Sequence, residues 1–182
     1  VDDYDGYLVT GSAHGVYDSA PFIATLLEFI RTIFVARKPL VGICFGHQAI
    51  AHALGGRAVK FDGGWGIGTT RLKITGSAEW IPSDMEHLDL IHVHQDQVIR
   101  LPPQAVRLAE SDFCKNAAFA IGEQVFSVQG HPEFTPAYTN ALINIREDMI
   151  GKDRATNART SLKNPHDGRQ AGSWILDFFC GS

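Results

Sequence analysis

The feature that most constrains this chain is a junction at residues 40–54. A short apolar run, Leu40-Val-Gly-Ile43, leads into Gly42-Ile-Cys44-Phe-Gly46, and a helix-like segment over residues 46–54 then stops at Gly55-Gly56. A buried strand that turns sharply into a helix belongs to a layered α/β domain. The rest of the chain agrees. Residues 7–10 read as a buried strand ending at Gly11, and Pro21 suits the first turn of a helix over residues 21–37, with Phe22, Ile23, Leu26, Leu27, Ile30, Ile33 and Phe34 on one face. Between residues 57 and 128 the texture shifts to strands, predicted at 71–75, 88–93, 106–109, 118–121 and 125–128. Helical patterns return at 136–150 and 169–179, and the polar stretch 157–168, with Asn164-Pro165 and Asp167-Gly168, reads as a loop.

Composition narrows the class. The 182 residues make one domain, 1–182, with 45% hydrophobic and 20% charged residues. The net charge of −4 and pI near 6.0 argue against nucleic acid as a partner. Residues 22–35 are interrupted by Thr25, Glu28, Arg31 and Thr32, so no membrane span is expected. Cys44, Cys114 and Cys180 are an odd set without framework spacing, which fits a reducing, cytoplasmic setting. The chain opens at Val1 and runs almost at once into an apolar strand, as a fragment lacking an N-terminal portion would.

Cys44 stands where a nucleophile elbow would put it. The flanking glycines permit a sharp turn, and the helix start beside Cys44 supplies partial positive charge and free N–H groups, which favour a thiolate and can hold an oxyanion. A cysteine after a core strand is ordinarily just a small buried residue, and that reading is kept for Cys114 and Cys180. Expulsion of an amine also needs a proton donor. Gln129-Gly-His131-Pro-Glu133-Phe134 follows the last strong strand; Pro132 holds His131 extended, so His131 and Glu133 share a side and the carboxylate can orient the imidazole.

With both motifs in hand, the chain resembles the class I (triad-type) glutamine amidotransferases. Cys44-Phe-Gly46-His-Gln48 fits that family's elbow, and His131-Pro132-Glu133 fits its His-Pro-Glu signature. Thr10-Gly11-Ser12-Ala13 stands in the place of its oxyanion loop, and His94-Gln-Asp96-Gln-Val98 is similar to its His-x-Asp-x-Val segment. The resemblance implies a three-layer α/β/α, flavodoxin-like fold with a mostly parallel central sheet. It further implies catalytic roles for Cys44, His131 and Glu133, an oxyanion hole from the N–H groups of Ser12 and Phe45, and substrate contacts from Gly11, Gln48 and Asp96. No metal or organic cofactor is implied.

Departures from the family are Ser12 for the usual glycine, Gly130 where many members carry an aromatic, and an absent or incomplete leading strand–helix–strand unit. These variants look closest to a stand-alone branch of GMP synthase-like amidotransferases that includes γ-glutamyl peptidases. The implied partner is glutamine or a γ-glutamyl small molecule. Whether the ammonia feeds a synthetase partner protein or the chain hydrolyses γ-glutamyl compounds alone stays open, as does a binding module that has lost activity.

Other chemistries fit less well. His92-Val-His94-Gln-Asp96 matches the start of a metallohydrolase signature, but Gln97 stands where a further histidine is needed. An α/β-hydrolase places its triad acid before the histidine, whereas Glu133 follows His131. Gly63-Gly-Trp65-Gly-Ile-Gly68 lacks the lysine of a phosphate loop and reads as a turn with Trp65 packed near the site. The mixed charges of residues 146–159 read as solvated surface.

Overall fold

The computed structural model describes residues 1–181. Its strands are β1 (Tyr7–Val9), β2 (Leu40–Ile43), β3 (Arg57–Lys60), β4 (Gly66–Ile74), β5 (His87–His94), β6 (Asp96–Arg100), β7 (Val106–Glu110), β8 (Ala118–Ile121) and β9 (Val125–Val128). Its helices are α1 (Pro21–Val35), α2 (Phe45–Ala53), α3 (Pro136–Ile150), α4 (Lys152–Ser161) and α5 (Gly168–Cys180).

The central strands are short and apolar because both of their faces are covered. Leu40, Phe119, Ile121 and Val125 face one way and pack with Ile30, Ile33 and Ile50 of α1 and α2. Their neighbours Val41, Ile43, Phe126 and Val128 face the other way and pack with Trp174, Ile175 and Phe178 of α5. The result is the expected three-layer α/β/α arrangement. A third cluster joins Ile91, Ile143, Ile150, Ala155, Ala158 and Leu162, which fastens α3 and α4 onto β5.

The main sheet runs β1-β2-β9-β8-β7-β4-β5, and β3 pairs with β6 in a separate small sheet. The parallel pairing expected of the central sheet holds for β1, β2 and β9. The rest of the sheet, from β9 through β8, β7 and β4 to β5, is antiparallel, so the sheet as a whole is mixed. From β7 to β8 and from β8 to β9 the chain reverses through short connections, which suit antiparallel neighbours; a parallel pair needs a long crossover such as α1. The sheet also curls, since the His131 N–H donates to the Ile91 carbonyl at 2.8 Å and so ties the chain after β9 to the far edge strand.

The stretch 157–168 differs from the loop expected of it: α4 continues to Ser161, and the turn begins only afterwards. Its polar sequence hides the few contacts that fix it. Ala155 and Ala158 are buried, the Ser161 hydroxyl accepts from the Thr69 N–H at 3.0 Å, and Arg154 donates to the carbonyls of Trp65 and Gly63. Gly68, with φ of +90°, lets Ala158 and Ser161 come this close; a Cβ there would lie 2.3 Å from Ser161 Oγ. Two short strands, β3 and β6, were not resolved from sequence because their alternation is brief and mixed with charge.

Candidate active site

Because β1, β2 and β9 run parallel, their carboxyl ends lie on one edge of the sheet, and the segments leaving them meet there. The Thr10–Ala13 loop leaves β1, Cys44 leaves β2, and Gln129-Gly-His131 leaves β9. Residues far apart in sequence are thereby brought to one place.

Cys44 sits at φ 53° and ψ −103°, a conformation rare outside glycine. The glycines on either side permit it by close approach. A Cβ on Gly46 would fall 2.0 Å from the Val9 carbonyl oxygen, and one on Gly42 would meet Gly46 backbone atoms at 2.7 Å. The Cys44 N–H is spent on the Val128 carbonyl at 2.9 Å. The N–H of Phe45, in the first turn of α2, has no intrahelical acceptor and remains as a donor beside the sulfur. Across from it lies the Gly11-Ser12 backbone: a Cβ on Gly11 would stand 3.2 Å from His131 Cε1 and 3.8 Å from Cys44 Cβ.

His131 is buried and donates its Nδ1–H to Glu133 Oε1 at 2.7 Å, while Glu133 remains half exposed. The two side chains share a side, as their spacing requires. The ring of Phe134 stacks on the imidazole, with centroids 3.7 Å apart and planes 8° from parallel. Burial works to lower the His131 pKa, but Cys44 and then Glu133 override it, and the ring is pushed up to about 9. Nδ1 being occupied by Glu133, Nε2 is the nitrogen left to face the sulfur. Cysteine, histidine and carboxylate are therefore arranged for nucleophilic attack with proton transfer.

Two cavities meet at Cys44. The smaller, about 300 Å³, is bordered by the Thr10–Ala13 loop, His131, Glu133 and Phe134. The larger, about 440 Å³, is bordered by Tyr17, Gln48, Lys60, Trp65 and Asp96. Gln48 is braced: its Nε2 donates to the Asp96 carbonyl at 3.0 Å and to Gln129 Oε1 at 3.1 Å, which leaves its Oε1 as the group it can offer. The Asp96 carboxylate accepts from the Tyr17 hydroxyl at 2.8 Å, and burial holds its pKa above the ordinary range. Trp65 does lie near the site, its ring 5.7 Å beneath the Arg146 guanidinium.

The histidine pair considered as metal ligands is engaged otherwise. His94 Nδ1 lies 3.0 Å from the Asp96 carbonyl, which only accepts, so that nitrogen carries the proton; His94 Nε2 then accepts from His92 Nδ1 at 3.1 Å. Burial lowers the pKa of His94 to about 4 and that of His92 well below its ordinary value. The Asp96 carboxylate turns to Tyr17, and among the described residues no group of His, Cys, Asp and Glu side chains converges to hold a metal. Gly130 has a packing reason: a Cβ there would press on Leu90 Cβ at 2.9 Å and His92 Nε2 at 3.0 Å, so no aromatic fits.

The chain belongs to the class I glutamine amidotransferases: the family model described as "Glutamine amidotransferase class-I" matches residues 1–145. It is 30% identical over 177 residues to γ-glutamyl peptidase 3 of Arabidopsis thaliana, spanning 93% of this chain and 71% of that one. It is 32% identical over 133 residues to the glutamine-hydrolyzing GMP synthase of Vibrio cholerae, a match that spans 72% of this chain and 24% of the synthase. Among solved structures, a glutamine amidotransferase from Thermotoga maritima shares the fold, with a TM-score of 0.80 at 22% identity over 100% of this chain and 80% of that one.

Sequence reasoning did not single out Tyr17, Tyr138, Leu142 or Arg146, and it treated Phe134 only as a motif neighbour. Tyr138, Leu142 and Arg146 recur at helical spacing on α3 and line one wall of the smaller cavity. That spacing was a visible signal, but a stripe mixing aromatic, aliphatic and charged residues reads as ordinary surface until the cavity beside it is known.

Proposed function

We propose that the chain hydrolyses the γ-amide of a γ-glutamyl compound, glutamine included, through a thioester on Cys44. The observation that carries this reading is the buried His131 imidazole held by Glu133 at 2.7 Å and raised in pKa by its interaction with Cys44. The Cys44 sulfur attacks the γ-carbonyl carbon, and the N–H groups of Ser12 and Phe45 stabilise the oxyanion. His131 protonates the departing nitrogen as the C–N bond breaks, then takes a proton from water, which attacks the thioester and releases the γ-carboxylate. Glu133 orients His131 throughout. Gln48 and Asp96 border the space for the glutamyl portion, and the Gly11 backbone flanks the reacting carbonyl beside Cys44 and His131. No step calls for a metal or organic cofactor.

A second reading, supported by the likeness to GMP synthase, is that the ammonia passes to a synthetase partner protein. Turnover assays separate the alternatives. Purified protein should release ammonia or amine from glutamine and γ-glutamyl peptides, and the Cys44→Ala variant should not. Turnover that appears only on addition of a synthetase would favour the second reading, and no release under either condition would leave a non-enzymatic module.

A further inference from the structure

The two cavities are unequal in the chemistry they can serve. His131 and Glu133 border the smaller one and not the larger. If His131 delivers its proton to the departing nitrogen, the group on that nitrogen must lie in the smaller cavity, while the glutamyl portion occupies the larger one. Ammonia needs about the volume of one water, roughly 30 Å³. The smaller cavity offers about 300 Å³.

Those walls have a definite character. Phe134 lies flat on His131, and the Tyr138 ring meets Phe134 edge-on with centroids 4.7 Å apart. Leu142 follows one turn along α3, and Arg146 closes the row at the rim. Arg146 is partly buried over Trp65, and among the described residues no carboxylate lies within ion-pair distance of it. Arg146 borders both cavities and is the one permanent cation in the smaller one's lining, whereas the larger cavity has Lys60 besides it to meet the glutamyl α-carboxylate. A guanidinium without a partner, preorganised by stacking, is suited to bidentate capture of a carboxylate.

We propose that the smaller cavity is a leaving-group subsite for an amino acid or short peptide, and that Arg146 makes it selective by binding the leaving group's carboxylate. The inference rests on the Cys44 thioester reading and adds the identity of the displaced amine. The balance is that of amide hydrolysis. The γ-carbonyl C–N bond breaks as the C–S bond forms, His131 supplies the proton to nitrogen, and the free amino acid leaves past Phe134 and Tyr138. Water then completes hydrolysis of the thioester.

The test compares kcat/KM for glutamine, γ-glutamylphenylalanine and its carboxamide, in which only the leaving group's charge is removed. γ-Glutamylphenylalanine should exceed both of the others by about tenfold or more, the scale of one charge-assisted carboxylate contact. In Arg146→Met the preference for the acid over its carboxamide should shrink to about twofold or less, chiefly through KM. Glutamine cleaved as well as the peptide would overturn the inference while leaving the hydrolase reading intact. So would an Arg146→Met variant that loses acid and carboxamide equally, since Arg146 would then serve the glutamyl carboxylate. Should Arg146→Met not fold, the wild-type ratio alone decides. An inert Cys44 would end both readings, and the loss of glutamine turnover identifies that case.

Discussion

Glu133 is the residue whose removal can be read most directly, because in the proposed mechanism it acts only through His131, to which it is bonded. Its carboxylate and Cys44 together hold the His131 pKa near 9 against the opposing effect of burial. Protonated His131 is the form that can deliver a proton to the departing nitrogen, so kcat/KM should fall on an alkaline limb near pH 9. In Glu133→Gln that limb should move toward lower pH, and kcat should drop by about 10²-fold. A pH–rate profile of the two proteins checks both; an unmoved limb would mean that Glu133 does not hold the imidazole. Stability follows the same linkage. A histidine whose folded pKa is raised stabilises the fold fully below the unfolded value, about 6.5, and loses that contribution as pH climbs through about 9. Cys114 offers a contrast: burial pushes its thiol up to about 12, so it has little thiolate to offer near neutral pH.

Among the elements, α2 decides whether the site exists, since its first turn presents Phe45 and carries Cys44 at its entry. It reaches the sheet only because Gly46 has no side chain: an added Cβ would lie 2.0 Å from the Val9 carbonyl of β1, which is backbone and cannot swing aside. Gly46→Ala should therefore cost about 3 kcal/mol in chemical denaturation, at the upper end of ordinary overpacking. It should also lower turnover in whatever protein remains folded, because α2 must shift away from β1 and the Thr10–Ala13 loop that follows it. A variant with wild-type stability and rate would show that this approach is not needed. The elbow was legible in sequence since its requirement is local: a strand, glycines at fixed spacing and a helix. The His131 and Glu133 pair was legible for the same reason. By contrast α4 was hidden. Few of its residues are apolar, and what holds it are contacts to Gly68, Thr69 and the carbonyls of Gly63 and Trp65, all distant in sequence.

At the scale of the whole molecule, three parallel strands bring the Thr10–Ala13 loop, the sulfur and the imidazole to one edge, and the clusters on the two faces of the sheet hold those strands in place. The layered α/β class could be read from the alternation of apolar runs. The antiparallel part of the sheet could not, because strand direction depends on which neighbour a strand finds and not on its own pattern. The cavities were invisible for a similar reason: the wall formed by Tyr138, Leu142 and Arg146 becomes a site only when α3 packs beside β5. Convergence of the sulfur and the imidazole is the central claim, and a diazo-ketone analogue of glutamine tests it most directly, followed by peptide mass mapping of the labelled protein. Such a reagent needs both a recognised glutamyl group and an activated thiolate, which separates Cys44 from the merely exposed Cys180. The expected result is a single adduct on Cys44 that is lost in His131→Ala; an adduct on Cys114 or Cys180, or labelling of Cys44 that does not depend on His131, would contradict it.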